Sequence, residues 1–249
     1  MRREVLQIVT FRAANKPTLR PDECLPISEF QMTVIPWRVK NFLSEHFPLL
    51  YHLAVNLGSE GNSPEHWDQR LAETWDSPGR YWPTLNKMIA SLTTPDDRIL
   101  DIGCGNGGML RYLKGLGYRN LNGLDISKYG IERLRAEGIE MHFGRLPAIL
   151  LPDDGFDVVI ASAVLEHVIR RRKFIKEVRR VLKPGGRAFI FVPDNCLGPI
   201  SEPEHCIKYT DASLRSFLGR YFHVVNLERA RDVNDTTPLL FATVQKNTH

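Results

Sequence analysis

Two carboxylates and a run of glycines carry the first chemical signal in the sequence. An apolar stretch, Ile99-Leu100-Asp101-Ile102, passes into Gly103-Cys104-Gly105-Asn106-Gly107-Gly108 and then into an amphipathic segment, Met109 to Leu116. That order reads as strand, tight turn and helix. Glycine lets a backbone bend sharply and approach a ligand closely. A helix that starts there aims its first N–H groups at whatever the turn holds. Asp125 lies twenty residues past Gly105, at the end of the next apolar run. Backbone for one end of a ligand and an acid for ribose hydroxyls is the layout of a nucleotide-type cofactor site. Two histidines stand at other element ends: His167, in Leu165-Glu166-His167, and His205, in Pro203-Glu204-His205-Cys206. Either can act as a general base near neutral pH. The other reading of His167 is an orienting or capping side chain, and of His205 an ordinary loop position.

The elements that position these groups follow from periodicity. Apolar runs predict strands over 98–102, 120–125, 139–143, 156–161 and 186–192, with helical spacing between them over 107–116, 128–137 and 171–182. Short apolar runs alternating with helices predict a parallel sheet covered on both faces, with right-handed crossovers. After Pro193 the alternation changes. A helix over 211–219 is followed by strands over 222–227 and 239–244 with no helix between them, which predicts an antiparallel hairpin at the sheet edge.

Upstream, Ser63-Pro64 is an N-cap followed by proline in the first turn of a helix over 64–75. Ser77-Pro78-Gly79 ends it, and a second helix is predicted from Arg80 to Leu92. Trp67, Trp75 and Trp82 fall in these two helices, as a lid over the site or a hydrophobic cap on the sheet edge. Before them, Val39 to Leu57 has apolar residues near helical spacing, interrupted by Pro48; with a polar face that is not lysine-rich, it is read as packing on the domain or on a second subunit rather than as an interfacial membrane helix. Residues 1 to 36, with four prolines, are read as an extended arm, with a short strand possible at Val5 to Phe11.

Composition bounds the rest. The 249 residues are 43% hydrophobic and 25% charged, ordinary for a globular protein. A net charge of +4 is too mild to demand nucleic acid. The four cysteines, Cys24, Cys104, Cys196 and Cys206, show no CxxC or metal spacing and are read as reduced thiols in a cytoplasmic protein, with no metal expected. No signal-peptide pattern and no run of roughly 18 apolar residues is present in the sequence. The basic group Arg170 to Lys173, with Lys176, Arg179 and Arg180, spreads around the polar side of an amphipathic helix and reads as a solvated face rather than a phosphate site.

The glycines nominally match GxGxxG, which also fits a nicotinamide enzyme. Four stretches point elsewhere: ILDIGCGNG (99–107), LDIS (124–127), FDVVIASAVLEHV (156–168) and VLKPGGRAFIFVP (181–193). Together, in that order and spacing, they resemble the class I S-adenosylmethionine-dependent methyltransferases, in the branch with small-molecule acceptors. The resemblance is close over 97–193 and looser over 63–96 and 205–245. It implies a doubly wound, Rossmann-like α/β domain over 63–249, three layers around a seven-stranded, mostly parallel sheet, preceded by an N-terminal extension over 1–62. It also implies S-adenosyl-L-methionine as cofactor. Asp101, Gly103, Cys104, Gly105 and Asn106 would face its methionine part, Asp125 its ribose and Ile126 its adenine, with Leu146, Ser162 and Trp67 completing the contacts. In the family an aspartate usually follows the glycine after the third strand and holds the adenine amino group. Here the pair is Gly144-Arg145. Arginine cannot accept a hydrogen bond, but its planar guanidinium can stack on a ring. The implied reaction is methyl transfer to a small metabolite, sugar or lipid-like acceptor, with His167 and His205 as candidate bases. The alternative is a protein that keeps the cofactor fold without turnover.

Overall fold

Successive side chains along each strand point to opposite faces, and in this chain both faces are apolar. In the computed structural model, which describes residues 46, 47, 50, 62–77, 82–194, 205, 207–231 and 238–248, that pattern yields two cores. Leu100, Ile102, Val159, Ala161, Ala188, Ile190 and Val192 face one of them, and Ile99, Val158, Ile160, Phe189 and Phe191 face the other. The strands are β1 (Ile99–Ile102), β2 (Leu121–Asp125), β3 (Glu140–Phe143), β4 (Phe156–Ser162), β5 (Leu182–Pro193), β6 (His223–Ala230) and β7 (Leu239–Gln245). They form one sheet in the order β3-β2-β1-β4-β5-β7-β6. Strands β1 to β5 pair in parallel, and β7 runs antiparallel to both β5 and β6.

The helices are α1 (Pro64–Thr74), α2 (Pro83–Leu92), α3 (Gly108–Gly115), α4 (Lys128–Ala136), α5 (Arg171–Val181) and α6 (Asp211–Leu218). Leu85 and Ile89 of α2, Leu110 and Leu113 of α3, and Ile131 and Leu134 of α4 cover one face. Phe174, Ile175, Val178 and Val181 of α5 and Leu214, Phe217 and Leu218 of α6 cover the other. The result is the expected three-layer, doubly wound α/β fold with an antiparallel C-terminal pair.

Local chemistry sets the element ends. Ser63 caps α1 by accepting the His66 N–H at 3.1 Å, with Pro64 in the first turn. The hydroxyls of Thr210 and Ser213 form a reciprocal capping box at the start of α6. Three boundaries differ from expectation by three residues or more, one being the end of β6, at Ala230 rather than Leu227. Helix α2 begins at Pro83 rather than Arg80. Strand β5 begins at Leu182, directly after α5, so Pro184-Gly185-Gly186 is not a turn ahead of the strand. Leu182 pairs with Phe156, and pairing resumes with Arg187 opposite Val158. The intervening residues form a bulge held from the other side, where Gly185 N–H donates to the Lys246 carbonyl and Lys246 N–H to the Gly186 carbonyl.

The basic face of α5 also differs from expectation at one position. Arg180 donates to Glu177 and Asp153 and to the carbonyls of Ile149 and Leu151, clamping the loop before β4 to the helix. The predicted arm, the strand at Val5 to Phe11 and nearly all of Val39 to Leu57 lie outside the described residues, as do Cys24, Cys196 and Cys206. Among the described residues no helix is long and apolar enough to cross a membrane.

Phe191 and Phe241 stack across β5 and β7 with centroids 4.5 Å apart and planes 7° from parallel, both buried. Phe241→Ala is expected to destabilise the domain by about 3–5 kcal/mol. Leu150→Ala, at a side chain 89% exposed, should change stability by no more than about 0.5 kcal/mol. Urea midpoints of the two variants measured together check both expectations.

Candidate functional site

The strand order reverses direction at β1: β2 and β3 lie to one side, β4 and β5 to the other. In open α/β sheets the crevice beyond the strand ends at such a point is where ligands bind. A cavity of about 1090 Å³ opens there. All of the residues expected to contact a cofactor line it: Asp101, Gly103, Cys104, Gly105, Asn106, Asp125, Ile126, Arg145, Leu146, Ser162 and Trp67. So do both candidate bases, His167 and His205.

The floor is the turn after β1. Gly103 has φ +66°, and a Cβ there would sit 2.5 Å from Cγ2 of Val164, so both conformation and space demand glycine. Its N–H donates to the Leu124 carbonyl at 2.7 Å, tying the turn to β2. Asn106 braces the far end: its side chain donates to the Trp75 carbonyl at 3.2 Å and accepts from Gly108 N–H at 3.3 Å.

Asp125 closes the end of β2. One carboxylate oxygen accepts the Gly105 N–H and the other the Ser127 N–H, each at 2.8 Å. These two bonds fix the orientation of the carboxylate. Helix α4 does not need it as a cap, because Ser127 Oγ accepts from Gly130 N–H at 3.1 Å. Asp101 is 4% exposed and sits beside Asp125. Burial first, and the Asp125 charge second, push its pKa up to about 8. No hydrogen-bond donor among the described residues reaches its carboxylate. The same burial and the two acids push the Cys104 thiol up, so it stays protonated.

Helix α1 covers the cavity and bonds directly to its wall. Asp68 accepts the Ser127 hydroxyl at 2.6 Å and the Tyr129 N–H at 3.0 Å. The tryptophans divide. Trp67 and Trp82 line the cavity, whereas Trp75 is buried in the core beneath Arg111 and Arg133. Trp67 donates from Nε1 to Asn62 and meets the His167 ring edge-on at 5.7 Å. Asp68 has no sequence signature beyond its place in an amphipathic helix, and sequence reasoning missed it.

Past β4 the chain turns sharply. Ala163 has φ +52°, unusual for a residue with a side chain. A one-turn 3₁₀ helix, Leu165–His167, follows. It buries Glu166 completely and leaves His167 half-buried on the cavity wall. His205 arrives from the other segment, its ring 4.8 Å from that of His167. Arg145, after β3, is exposed at the cavity rim, as is Arg170. Of Pro193-Asp194, Pro193 lines the cavity, while Asp194 accepts from Arg229 at 2.6 Å.

Comparison with known proteins bears on this geometry. Residues 100–190 match the family model described as a methyltransferase domain. The chain is 28% identical over 165 residues to 27-O-demethylrifamycin SV methyltransferase of Amycolatopsis mediterranei, covering 61% of this chain and 60% of the relative. It is 31% identical over 131 residues to a ubiquinone biosynthesis O-methyltransferase of Aeromonas salmonicida, covering 47% and 55%. A Bos taurus protein assigned as tRNA methyltransferase 9B is 33% identical over 120 residues, covering 47% of this chain and 26% of that protein. The chain thus spans between about a quarter and three fifths of the lengths of these relatives. Among solved structures, an S-adenosylmethionine-dependent methyltransferase from Mesorhizobium loti superposes with TM-score 0.56 at 20% identity, over 69% of this chain and all of that one. The shared architecture is the Rossmann-like methyltransferase fold.

The Asp101 carboxyl has a consequence for stability. The unfolded chain releases this proton near 3.8 and the folded chain near 8. Between those values the folded state holds the extra proton, so rising pH destabilises it, by up to about 1.4 kcal/mol per pH unit. Asp101→Asn removes that dependence. Its stability relative to the parent protein should therefore grow from pH 5 to pH 8 and level off above about pH 9. Thermal or urea unfolding across that range measures it.

Proposed function

Residues 100–190 carry a methyltransferase domain, and the family and fold imply S-adenosyl-L-methionine; on that premise we propose that the protein methylates a small-molecule acceptor. The observation that carries the reading is the pairing of Asp101 and Asp125 on either side of the Gly103–Gly105 turn in one cavity.

The donor set fits the cofactor. Asp101 is a buried acid with no cation beside it among the described residues, and the ligand's ammonium would supply one. The Gly103 cradle admits a ligand where a Cβ would be blocked. Asp125, an acid at the end of β2, is an acceptor suited to ribose hydroxyls. Ile126 and Leu146 offer apolar surface for a purine, and Arg145 a planar cation at the rim. When bound, the sulfonium supplies an electrophilic methyl group and leaves as a neutral thioether. The protein's own task is then alignment and exclusion of water. Trp67 and α1 cover the cavity, and the Gly103–Asn106 turn and Asp125 hold one end. His167 and His205 stand on the wall where an acceptor would lie and lose its proton.

The cavity, about 1090 Å³, lies just above the usual ligand-site range of about 300–1,000 Å³ and has room for a small acceptor beside the cofactor. The rifamycin and ubiquinone-pathway relatives are named for small-molecule acceptors. The tRNA relative keeps RNA as the second reading.

Calorimetric titration should show one cofactor site, weakened about 10- to 100-fold by Asp125→Ala. Unaltered binding by that variant would overturn the proposed site. Repeating the titration at pH 7 in buffers of different ionisation enthalpy should reveal proton release on binding, because Asp101 ionises as it gains a cation. The Asp101→Asn protein should release none. Incubation with methyl-labelled cofactor and separated metabolite and RNA fractions distinguishes the acceptors: label in the metabolites supports the proposal, and label confined to RNA replaces it.

A further inference from the structure

Three side chains from two distant segments meet at the cavity wall. Glu166, His167 and His205 each present a ligand atom, and these atoms all lie within 4.8 Å of one another. The convergence is built into the backbone. The positive φ at Ala163 turns the chain off β4, and the 3₁₀ turn then sets Glu166 and His167 side by side. Ile207 N–H donates to the Glu166 carbonyl at 3.1 Å, which brings the His205 segment to the same turn. The bridge between Asp194 and Tyr209 fastens that segment again two residues later. Trp67 packs edge-on against the His167 ring from α1.

We propose that Glu166, His167 and His205 bind a divalent first-row transition metal ion of the zinc type. Two imidazoles and one carboxylate suit such ions, whereas magnesium and calcium favour all-oxygen sites. Ligand atoms about 2.0–2.1 Å from one ion lie no more than about 4.2 Å apart. The present separations reach that limit with a small rotation of the half-buried rings.

Three protein ligands leave at least one coordination position, and the cavity is the side on which it opens. An acceptor hydroxyl bound there has its pKa lowered by the ion, so its O–H bond breaks and the proton leaves to solvent, while the electron pair stays on oxygen as the nucleophile. His167 and His205 then serve as ligands and not as the base. This acceptor role rests on the methyl-transfer reading; the ion site itself does not.

The test uses the full chain without a polyhistidine tag, stripped with chelator and titrated with Zn²⁺ against a chromophoric competitor. Co²⁺ serves as a spectroscopic probe of the same site. One equivalent of Zn²⁺ should bind, and Co²⁺ should give visible bands typical of four or five ligands including nitrogen. Glu166→Gln and His205→Ala should each weaken binding at least about tenfold, and His66→Ala, at a neighbouring histidine outside the cluster, should not. Far-UV circular dichroism and cofactor titration of each variant report whether it is folded. Absence of saturable binding, or binding that folded Glu166→Gln and His205→Ala proteins retain, overturns the proposal and leaves a hydrogen-bonded cluster only. Metal-free protein that still binds the cofactor separates the two claims. A protein that binds Zn²⁺ through these residues but no cofactor refutes the methyl-transfer reading and leaves the ion site standing.

Discussion

Two acids that would repel if both ionised, Asp101 and Asp125, are buried side by side at the ends of adjacent strands. The rest of the site is arranged to tolerate that repulsion. Asp125 accepts two backbone N–H groups, one from the turn after β1 and one from the start of α4. Asp101 receives no such help, and its proton is held up to about pH 8. The pair divides its burden by environment: one acid is bonded to the backbone, the other holds its proton to about pH 8. Parallel pairing of β1 and β2 forces the two close together, and the sheet cannot separate them without losing register.

Much of this was legible in the sequence because parallel α/β folds write themselves locally. Strands buried on both faces read as apolar runs, and the crossovers as amphipathic helices, so the element order and the doubly wound class followed directly. The floor of the site was legible for the same reason. A strand end, a glycine turn and an acid after the next strand are contiguous signals, and Asp101, Gly103, Gly105 and Asp125 meet in one cavity.

What could not be read was contact between segments far apart in the chain. Asp68 bonds to residues some sixty positions away. Glu166 and His205 come together only because β5 carries the chain out and a later segment returns to the same turn. The same limit explains Arg180, which looked like one more charge on a solvated helix and instead clamps a loop. The bulge at Pro184-Gly185-Gly186 escaped a proline–glycine reading because its stabilising partner, Lys246, lies at the far end of the chain.

The bonds from Asp68 give the cover over the cavity an unusual mechanical property. Ser127 Oγ is shared between Asp68 on α1 and Gly130 N–H inside α4, while Ser127 N–H is held by Asp125. A single residue therefore joins the cover, the wall and the carboxylate at the end of β2. Lifting α1 strips the Ser127 hydroxyl and the Tyr129 N–H of their acceptor at the moment the cavity is exposed. The cover is thus no hinged flap over an independent floor. The roof and the floor of the cavity are therefore joined in one hydrogen-bond network that runs from Asp68 through Ser127 to Asp125.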